Sequence, residues 1–582
     1  MNIGIDFGST YSTVSKYNKS TDNVEAITFS EGEPASIPSV VSISKKRGQV
    51  TCGKGAKDQV GKKTVRIFEA FKMLLTEGNQ EMLRRRGYDS EYTPRVVTRL
   101  FLESTLRGVM QREELDGENC EGFENVVICV PEIWNSKPKA WDGRRILREI
   151  LNSEIQIPVG HVQVVTEPEA ASAFIAYNFE KETGRRFNGH LLLIDYGGGT
   201  LDLTLTQLTS EGNGTMEIAY REGGGAGENH PDDRGNGNIG SAGIAYMQNV
   251  VCRAIMDQGL LEDGHLDYTN PDFLTAVKDL ETQMKNSDRI RDIEDVFGSY
   301  GSYNKLKNIL KDDDETFVFL EYDGDELPVT FQHLYLSYKE VIEPILAREI
   351  ELINEKVKGH ISADPCEPAA GMRDDFKIAL VGGFGSFYLV KQQIAEIYKL
   401  DANPEIDLRT KNISANKREQ AISLGAALLA AGKVVQQKTA RFSLGVYASD
   451  TFYYGIKCYQ KVEPGRIYFI CRDDNLPDVP NNRVVYGGLR GNIQEFVVEF
   501  SSRPNHGGKM KMKQEMLDRM EKLPKYGFWH VGFSMDERDV ITFHVVPYMP
   551  LPGMQSFGNA DQIELENYTN LFDLTDIEEV TK

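Results

Sequence analysis

Short apolar runs, each stopped by glycine, proline or an acid, dominate the hydrophobic pattern of residues 1–432, and each has the length of a buried strand. Residues 3–6 (IGID) run into Phe7-Gly8-Ser9-Thr10 and a return strand over 12–17. The same succession recurs as residues 191–195 (LLLID), then Tyr196-Gly197-Gly198-Gly199-Thr200, then a return strand over 201–205. In both copies an apolar strand delivers an aspartate to its end, Asp6 or Asp195. One residue separates that aspartate from glycine, and a threonine follows. This internal repeat predicts a duplicated α/β unit whose two hairpins face each other across a cleft.

Further buried strands are expected at 126–130 (VVICV), stopped by Pro131, and at 162–165 (VQVV), ahead of Thr166-Glu167-Pro168. Pro168 suits a helix start, and Ala170, Ala173, Phe174 and Tyr177 form the stripe of the helix that follows. On periodicity alone Glu167 is a first-turn acid complementing the helix dipole. Residues 222–243, rich in glycine, asparagine and aspartate, read as a long flexible loop. Charged helical stretches at 273–285, 303–311 and 339–358, with a strand pair around Asp323-Gly324-Asp325, read as an inserted lobe. Residues 378–381 (IALV) open onto Gly382-Gly383-Phe384-Gly385-Ser386, with a helix expected directly behind the turn. The small-residue helix at 419–432 can pack close to a neighbour through Gly425, Ala426 and Ala430. From residue 440 onward alternating strands prevail, with one short helix near 513–522 carrying Met512, Met516 and Met520 on one face, a helix best read as packed on the sheet.

Composition narrows the function. At 582 residues the chain needs more than one core. With 87 acids against 66 bases, a net charge of -21 disfavours nucleic acid and anionic membrane as main ligands. Seven cysteines without a CxxC pair fit a reducing compartment, and nine histidines without HxxxH or HExxH spacing predict no dedicated zinc site. The start, MNIGIDFG, lacks a basic n-region and an apolar h-region, and no long apolar run occurs, so a soluble cytoplasmic protein is expected. The chemistry sits in the turns. Glycine-containing turns at strand ends bring several backbone N–H groups to a polyphosphate, and the shared Asp-x-Gly pattern favours nucleotide binding over two ordinary hairpins. The turn at 382–386 suits a ribose and α-phosphate, although it lacks the spacing of a dinucleotide fingerprint.

The order IGIDFGST, VVICVP, VVTEPEAASAFIAY, LLLIDYGGGTLDLTL, IALVGGFGS and REQAISLGAA resembles the nucleotide-binding domain of the 70-kilodalton heat-shock (DnaK-like) chaperones, within the actin, sugar-kinase and chaperone superfamily. The VGGFGS wording, the weak connector and the lack of a helical lid are most similar to the divergent 12-type branch. The resemblance implies an α/β fold: a duplicated actin-like (ribonuclease-H-like) two-lobed ATPase over 1–432, followed by a smaller β-rich domain. Lobe I would cover about 1–185 and lobe II about 186–432, with inserted subdomains at about 41–97 and 245–335. Residues 433–441 would be the linker, and 442–582 the domain that binds a peptide or protein client.

It further implies ATP/ADP and Mg²⁺ as ligands. Asp6 and Asp195 would hold the metal largely through water. Gly8, Ser9, Thr10 and Tyr11, with Gly197, Gly198, Gly199 and Thr200, would cradle the phosphates. Lys72 matches the family lysine that contacts the γ-phosphate and orients the attacking water, although periodicity alone makes it a solvated helix lysine. Glu167 matches the glutamate that helps place that water, and Pro131 a proline that relays the nucleotide state. Gly240, Lys307, Asn308, Lys311, Gly382, Gly383, Phe384 and Ser386 fall at the nucleoside end. Departures are concentrated there: Gly240-Ser241-Ala242-Gly243 lacks the family's two acids, and Asn308 stands where an arginine stacks on adenine, so no cationic plane is supplied.

The connector at 433–441 (KVVQQKTAR) lacks the family's apolar-acidic coupling stretch. The expected activity is slow, Mg²⁺-dependent ATP hydrolysis governing the β-rich domain, with a co-chaperone or exchange factor as further partner. The alternatives are a nucleotide-regulated sensor or scaffold with little hydrolysis, a filament former and a sugar kinase. The last two leave residues 440–582 without a role.

Overall fold

The structure is a computed structural model that describes residues 1–29, 34–113, 122–132, 134, 138–210, 216–226, 242–260, 270–301, 303–306, 315–361, 364–366, 375–399, 420–440, 442–448, 451–458, 460–471, 485–487, 495–500, 506–511, 528–535, 541–547, 561–565 and 578–581. It is a mixed α/β protein with several sheets. The chain divides into two compact units. The first comprises Met1–Ile133, Gly143–Ile218 and Glu222–Val435, and the second Trp134–Asp142, Ala219–Arg221 and Gln436–Lys582.

Two sheets organise the first unit. In one, the apolar run at the N-terminus is β1 (Asn2–Asp6), which pairs antiparallel with β2 (Tyr11–Asn18) on one side. On its other side it pairs parallel with β4 (Phe123–Val130). Beyond these lie β3 (Asn23–Ala26) and β5 (Val159–Thr166), giving the order β3-β2-β1-β4-β5. The second sheet is centred on β6 (Gly189–Tyr196), antiparallel to β7 (Leu201–Ser210), with β8 (Met216–Ala226) beyond it. Strand β9 (Phe376–Val381) runs parallel to β6 on the opposite side. Both sheets therefore set an aspartate-ending strand between an antiparallel return strand and a parallel neighbour.

Helix α1 (Glu167–Thr183) and the later small-residue helix α4 (Ala421–Ala430) join both sheets in one apolar core, which includes Val127, Val165, Leu191, Leu193 and Val381. Their approach depends on glycine. A Cβ on Gly425 would run into the Ala170 carbonyl of α1, and one on Gly4 of β1 into the Ala427 amide of α4. The other side of the second sheet packs on α2 (Gly243–Asp257), α3 (Pro271–Met284) and the helical run ending at Val357.

Two sequence expectations change. Glu222–Ala226 is not loop but the end of β8: a Cβ on Gly225 would strike the Leu201 carbonyl, so the glycines let this strand lie flush on β7. The amphipathic helix expected from residue 339 already begins at Phe331, because Thr330 and His333 form a capping box there, and it continues through a π-helical turn at Tyr338–Ile342. The strand pair Thr316–Tyr322 and Asp325–Thr330 is present, with Asp323 (φ 52°) and Gly324 (φ 84°) forming its turn.

In the second unit every element described beyond residue 440 is a strand. One sheet orders Thr451–Ile456, Phe442–Ala448, Glu495–Phe500, His506–Lys511 and Glu578–Thr581. The other orders Tyr468–Phe469, Phe528–Met535, Ile541–Pro547 and Asp561–Leu565. Leu444, Val446, Ile456, Val531, Phe533 and Met535 are buried there. The methionine-bearing helix near 513–522 lies outside the described residues. Among the described residues no helix is long and apolar enough to cross a membrane.

Candidate functional site

The first hairpin turn is pinned from outside. The Ser39 amide donates to the Thr10 carbonyl at 2.8 Å, and the Ser39 hydroxyl to the Gly8 carbonyl at 2.7 Å. The second turn is closed by Gly197 N–H donating to the Thr200 carbonyl at 3.0 Å. The N-terminus of α2 then donates to it, Gly243 N–H to Gly197 O at 3.3 Å and Ile244 N–H to Gly198 O at 2.8 Å. The two turns abut. A Cβ on Gly199 would come within 3.2 Å of Ser9 Oγ, and one on Gly198 would collide with Thr10 Oγ1. Glycine is needed here because side chains would force the turns apart.

Around this contact lies a cluster of buried charge. Lys72 is 2 % exposed and pairs with Glu167, itself 6 % exposed; its ammonium also lies 5.6 Å from the centre of the Phe7 ring. Lys72 is not on a solvated helix. It sits in successive tight turns that begin at Ala70, whose φ is 52°, with Met73 N–H donating to Ala70 O and Leu75 N–H to Lys72 O. The left-handed Ala70 redirects the chain so that Phe71 and Lys72 both turn inward. Glu167 is the first residue of α1, behind a capping box of Thr166 and Glu169, so it occupies a helix first turn and pairs with Lys72 at the same time.

Further acids crowd around this pair. Burial pushes the Asp6 carboxyl up to about 7, with the Glu167 charge adding to the shift and Lys72 opposing it. Asp195 is held well above the ordinary carboxylate range by burial, then by Glu167, Asp202 and Asp6. Its Oδ2 is buried without a hydrogen-bond partner, as is Thr10 Oγ1 on the facing turn. A buried carboxylate oxygen left unsatisfied is costly unless a cation completes it. Among the described residues no group of three or more histidines, cysteines or acids is set to ligate a metal directly. A cation held by two strand-end carboxylates and otherwise by water and phosphate, as Mg²⁺ prefers, fits this donor set.

The third turn joins the same place. Gly382 (φ 84°) lies so close to the second turn that a Cβ would strike Asp195 Oδ1 and the Tyr196 carbonyl. The helix expected directly behind this turn is displaced. Phe384–Ser386 form a 3₁₀ turn, Phe387 is extended, and the helix starts at Tyr388. The cause is aromatic packing: the Phe384 ring stacks on Phe387 (5.4 Å, 15°) and meets Tyr196 edge-on (5.2 Å, 83°). Gly383 and Ser386 are exposed, and the Ser386 hydroxyl donates to Gly383 O at 2.7 Å. Gly240, Lys307, Asn308 and Lys311 lie outside the described residues.

No family model matches the chain. Curated proteins do. A chaperone protein DnaK of Nitrosopumilus maritimus (strain SCM1) is 26% identical over 227 residues, 38% of this chain and 31% of that protein. A chaperone protein DnaK of Metamycoplasma hominis is 24% identical over 228 residues, 39% of this chain and 32% of that protein. Heat shock cognate 70 kDa protein 3 of Dictyostelium discoideum is 24% identical over 241 residues, 37% and 34% respectively. The similarity is to heat-shock-70 chaperones. The chain spans about a third of the length of the curated relatives it matches.

The heat-shock-70-like motifs drew attention to Asp195 but not to two further acids in the cluster. Asp202 is fully buried directly across the hairpin from Asp195 and held well above the ordinary range by burial and then Glu167, while the Thr200 side chain hydrogen-bonds it and pulls the other way. Glu132, 3 % exposed and next to Pro131, adds its charge to Asp202. The available signal was polar residues in a strand covered on both faces, since Asp202, Thr204 and Thr206 are all fully buried.

Proposed function

We propose that this chain is a divergent heat-shock-70-like ATPase, similar in kind to the divergent 12-type branch, whose slow ATP cycle governs a C-terminal β-rich domain that binds a peptide or protein client. The observation that carries the reading is the abutment of two Asp-x-Gly turns over a buried, acid-rich cluster that contains the Lys72–Glu167 pair. The matching strand succession of the two sheets supports a duplicated actin-like pair of lobes within residues 1–432, with the second unit as the client domain.

In this reading backbone N–H groups of residues 8–11 and 198–200 cradle the β- and γ-phosphates, while the Gly197 N–H holds the second turn closed. Hydrolysis of a phosphoanhydride needs positioning and charge neutralisation more than covalent help. Lys72 holds the γ-phosphate and orients the attacking water, Glu167 keeps Lys72 in place and helps position the water, and Thr200 holds Asp202. Asp6 and Asp195 would hold hydrated Mg²⁺, which supplies neutralisation of phosphate charge. Residues 382–386, with Lys307, Asn308 and Lys311, would face the nucleoside, and with no arginine plane there the base is gripped weakly. An exchange factor or co-chaperone is the partner class this cycle would use.

Steady-state and single-turnover hydrolysis by wild type, Lys72→Ala and Thr200→Ala, with and without an unfolded peptide, tests the proposal. The expected result is Mg²⁺-dependent turnover well below about 1 s⁻¹, reduced in both variants and altered by peptide. Wild type that binds no nucleotide contradicts it. Turnover indifferent to unfolded peptide but stimulated by a folded partner favours a nucleotide-regulated scaffold.

A further inference from the structure

The turn behind β9 carries an aromatic ring that the proposed chemistry does not use. Of its residues 382–386, three are glycine, and the one polar side chain, Ser386, already donates its hydroxyl hydrogen to Gly383 O at 2.7 Å. Phe384 is the remaining side chain, and its neighbours hold it firmly. Its ring stacks on Phe387 (5.4 Å between centres, 15°), meets Tyr196 edge-on (5.2 Å, 83°) and leans on Tyr246 (5.3 Å, 43°), while a Cβ on Gly243 at the start of α2 would come within 3.3 Å of it. Tyr196, Tyr246 and Phe387 are buried, whereas Phe384 is half-buried, so of these four rings it is the one that reaches the surface. Beside it, a Cβ on exposed Gly383 would meet nothing within 4 Å among the described residues. Two of its contacts lead directly to the second phosphate turn: Tyr196 precedes Gly197, and the Gly243 amide donates to Gly197 O at 3.3 Å.

We propose that Phe384 is the platform on which the base of a bound nucleotide stacks, so that this site takes a purine by its face and does not separate adenine from guanine. The inference rests on the nucleotide reading above and deepens it. A nucleotide whose phosphates lie on residues 198–200 has its sugar and base beyond them, and Phe384 adjoins that turn through Tyr196 and through Gly243. The ring is already immobilised by its aromatic neighbours, so little side-chain freedom is lost when a base settles on it. Stacking of a base on an aromatic side chain tolerates any base, because every base has a π-face, whereas adenine and guanine differ in the donors and acceptors along their edges. The turn offers such a face, and the hydrogen of its one polar side chain is engaged within the turn itself. Phe384 is therefore a specificity-determining residue, and its effect is to broaden the choice of base.

Calorimetric titration of the full chain with ADP, GDP and inorganic tripolyphosphate, each with Mg²⁺, tests this in wild type, Phe384→Leu and Phe384→Tyr. Wild type should bind ADP and GDP with affinities within about threefold of each other. Phe384→Leu keeps apolar bulk and removes the ring, and it should weaken both nucleotides about tenfold while leaving tripolyphosphate within about twofold. Phe384→Tyr restores a π-face and should stay within about threefold of wild type for all three ligands. Tripolyphosphate also separates stacking from a displaced turn, since a variant whose turn has shifted against Tyr196 loses the phosphate ligand as well. A preference for ADP over GDP above about tenfold, ADP affinity unchanged in Phe384→Leu, or tripolyphosphate weakened as much as ADP would overturn the platform and leave a nucleotide site in place. Wild type that binds neither nucleotides nor tripolyphosphate would instead remove the nucleotide reading, and the platform with it.

Discussion

The two aspartate-bearing hairpins share a frame and differ in what that frame carries. Asp6 lies opposite Thr13 across its hairpin, whereas Asp195 lies opposite a second acid, Asp202. The first turn has one glycine and the second three in succession. Two residues before the aspartate, the first strand has Gly4, which admits the backbone of α4, and the second has Leu193, which fills the core. The two hairpins carry different residues on a similar frame: the first admits the backbone of α4, and the second sets two buried acids opposite each other. Lys72 and Glu167, supplied by other segments, lie between the copies.

That difference can be broken in order of expected effect. Lys72→Ala removes the base paired with Glu167 in the acid cluster and should lower single-turnover ATP hydrolysis by about 10²–10³-fold, read by quench-flow. Asp202→Asn should cost hydrolysis about tenfold, while Thr13→Val, at the equivalent place in the first hairpin, should leave the rate within about twofold. Equal losses would mean that the hairpins are functionally symmetric. Gly4→Ala pushes a methyl into the Ala427 amide and should destabilise the protein by about 1–3 kcal/mol in chemical denaturation, whereas Leu193→Met should cost less than about 1.5 kcal/mol.

A further effect is one of pH. The folded protein holds the Asp6 proton up to about 7, against 3.8 for a free carboxyl, so folding takes up a proton between those values. Stability of the nucleotide-free protein should therefore fall as pH rises from about 4 to 7, seen as a lower melting temperature at the upper end. Added Mg²⁺ and nucleotide should narrow the difference by compensating the ionised carboxylates.

The strands and glycine turns were legible because buried strands are short apolar runs and turns need glycine, as at 3–10 and 191–200. Misreadings arose where context overrides local pattern. Glu222–Ala226 has the composition of a loop, yet its glycines serve a close approach to β7. Lys72 has helical surroundings in the sequence, yet a left-handed Ala70 turns it inward. Asp202 lies in a return strand that local pattern identifies, yet only the covering of both faces of that strand makes it a buried acid.

In the proposed cycle the abutting turns hold a Mg²⁺-nucleotide that Lys72 helps to hydrolyse. Single-turnover hydrolysis of ATP bound to wild type and to Lys72→Ala, with and without Mg²⁺, tests it most directly. Slow, Mg²⁺-dependent hydrolysis that collapses in the variant while nucleotide remains bound is the predicted result. Hydrolysis that proceeds equally in Lys72→Ala, or wild type that binds no nucleotide, would contradict it.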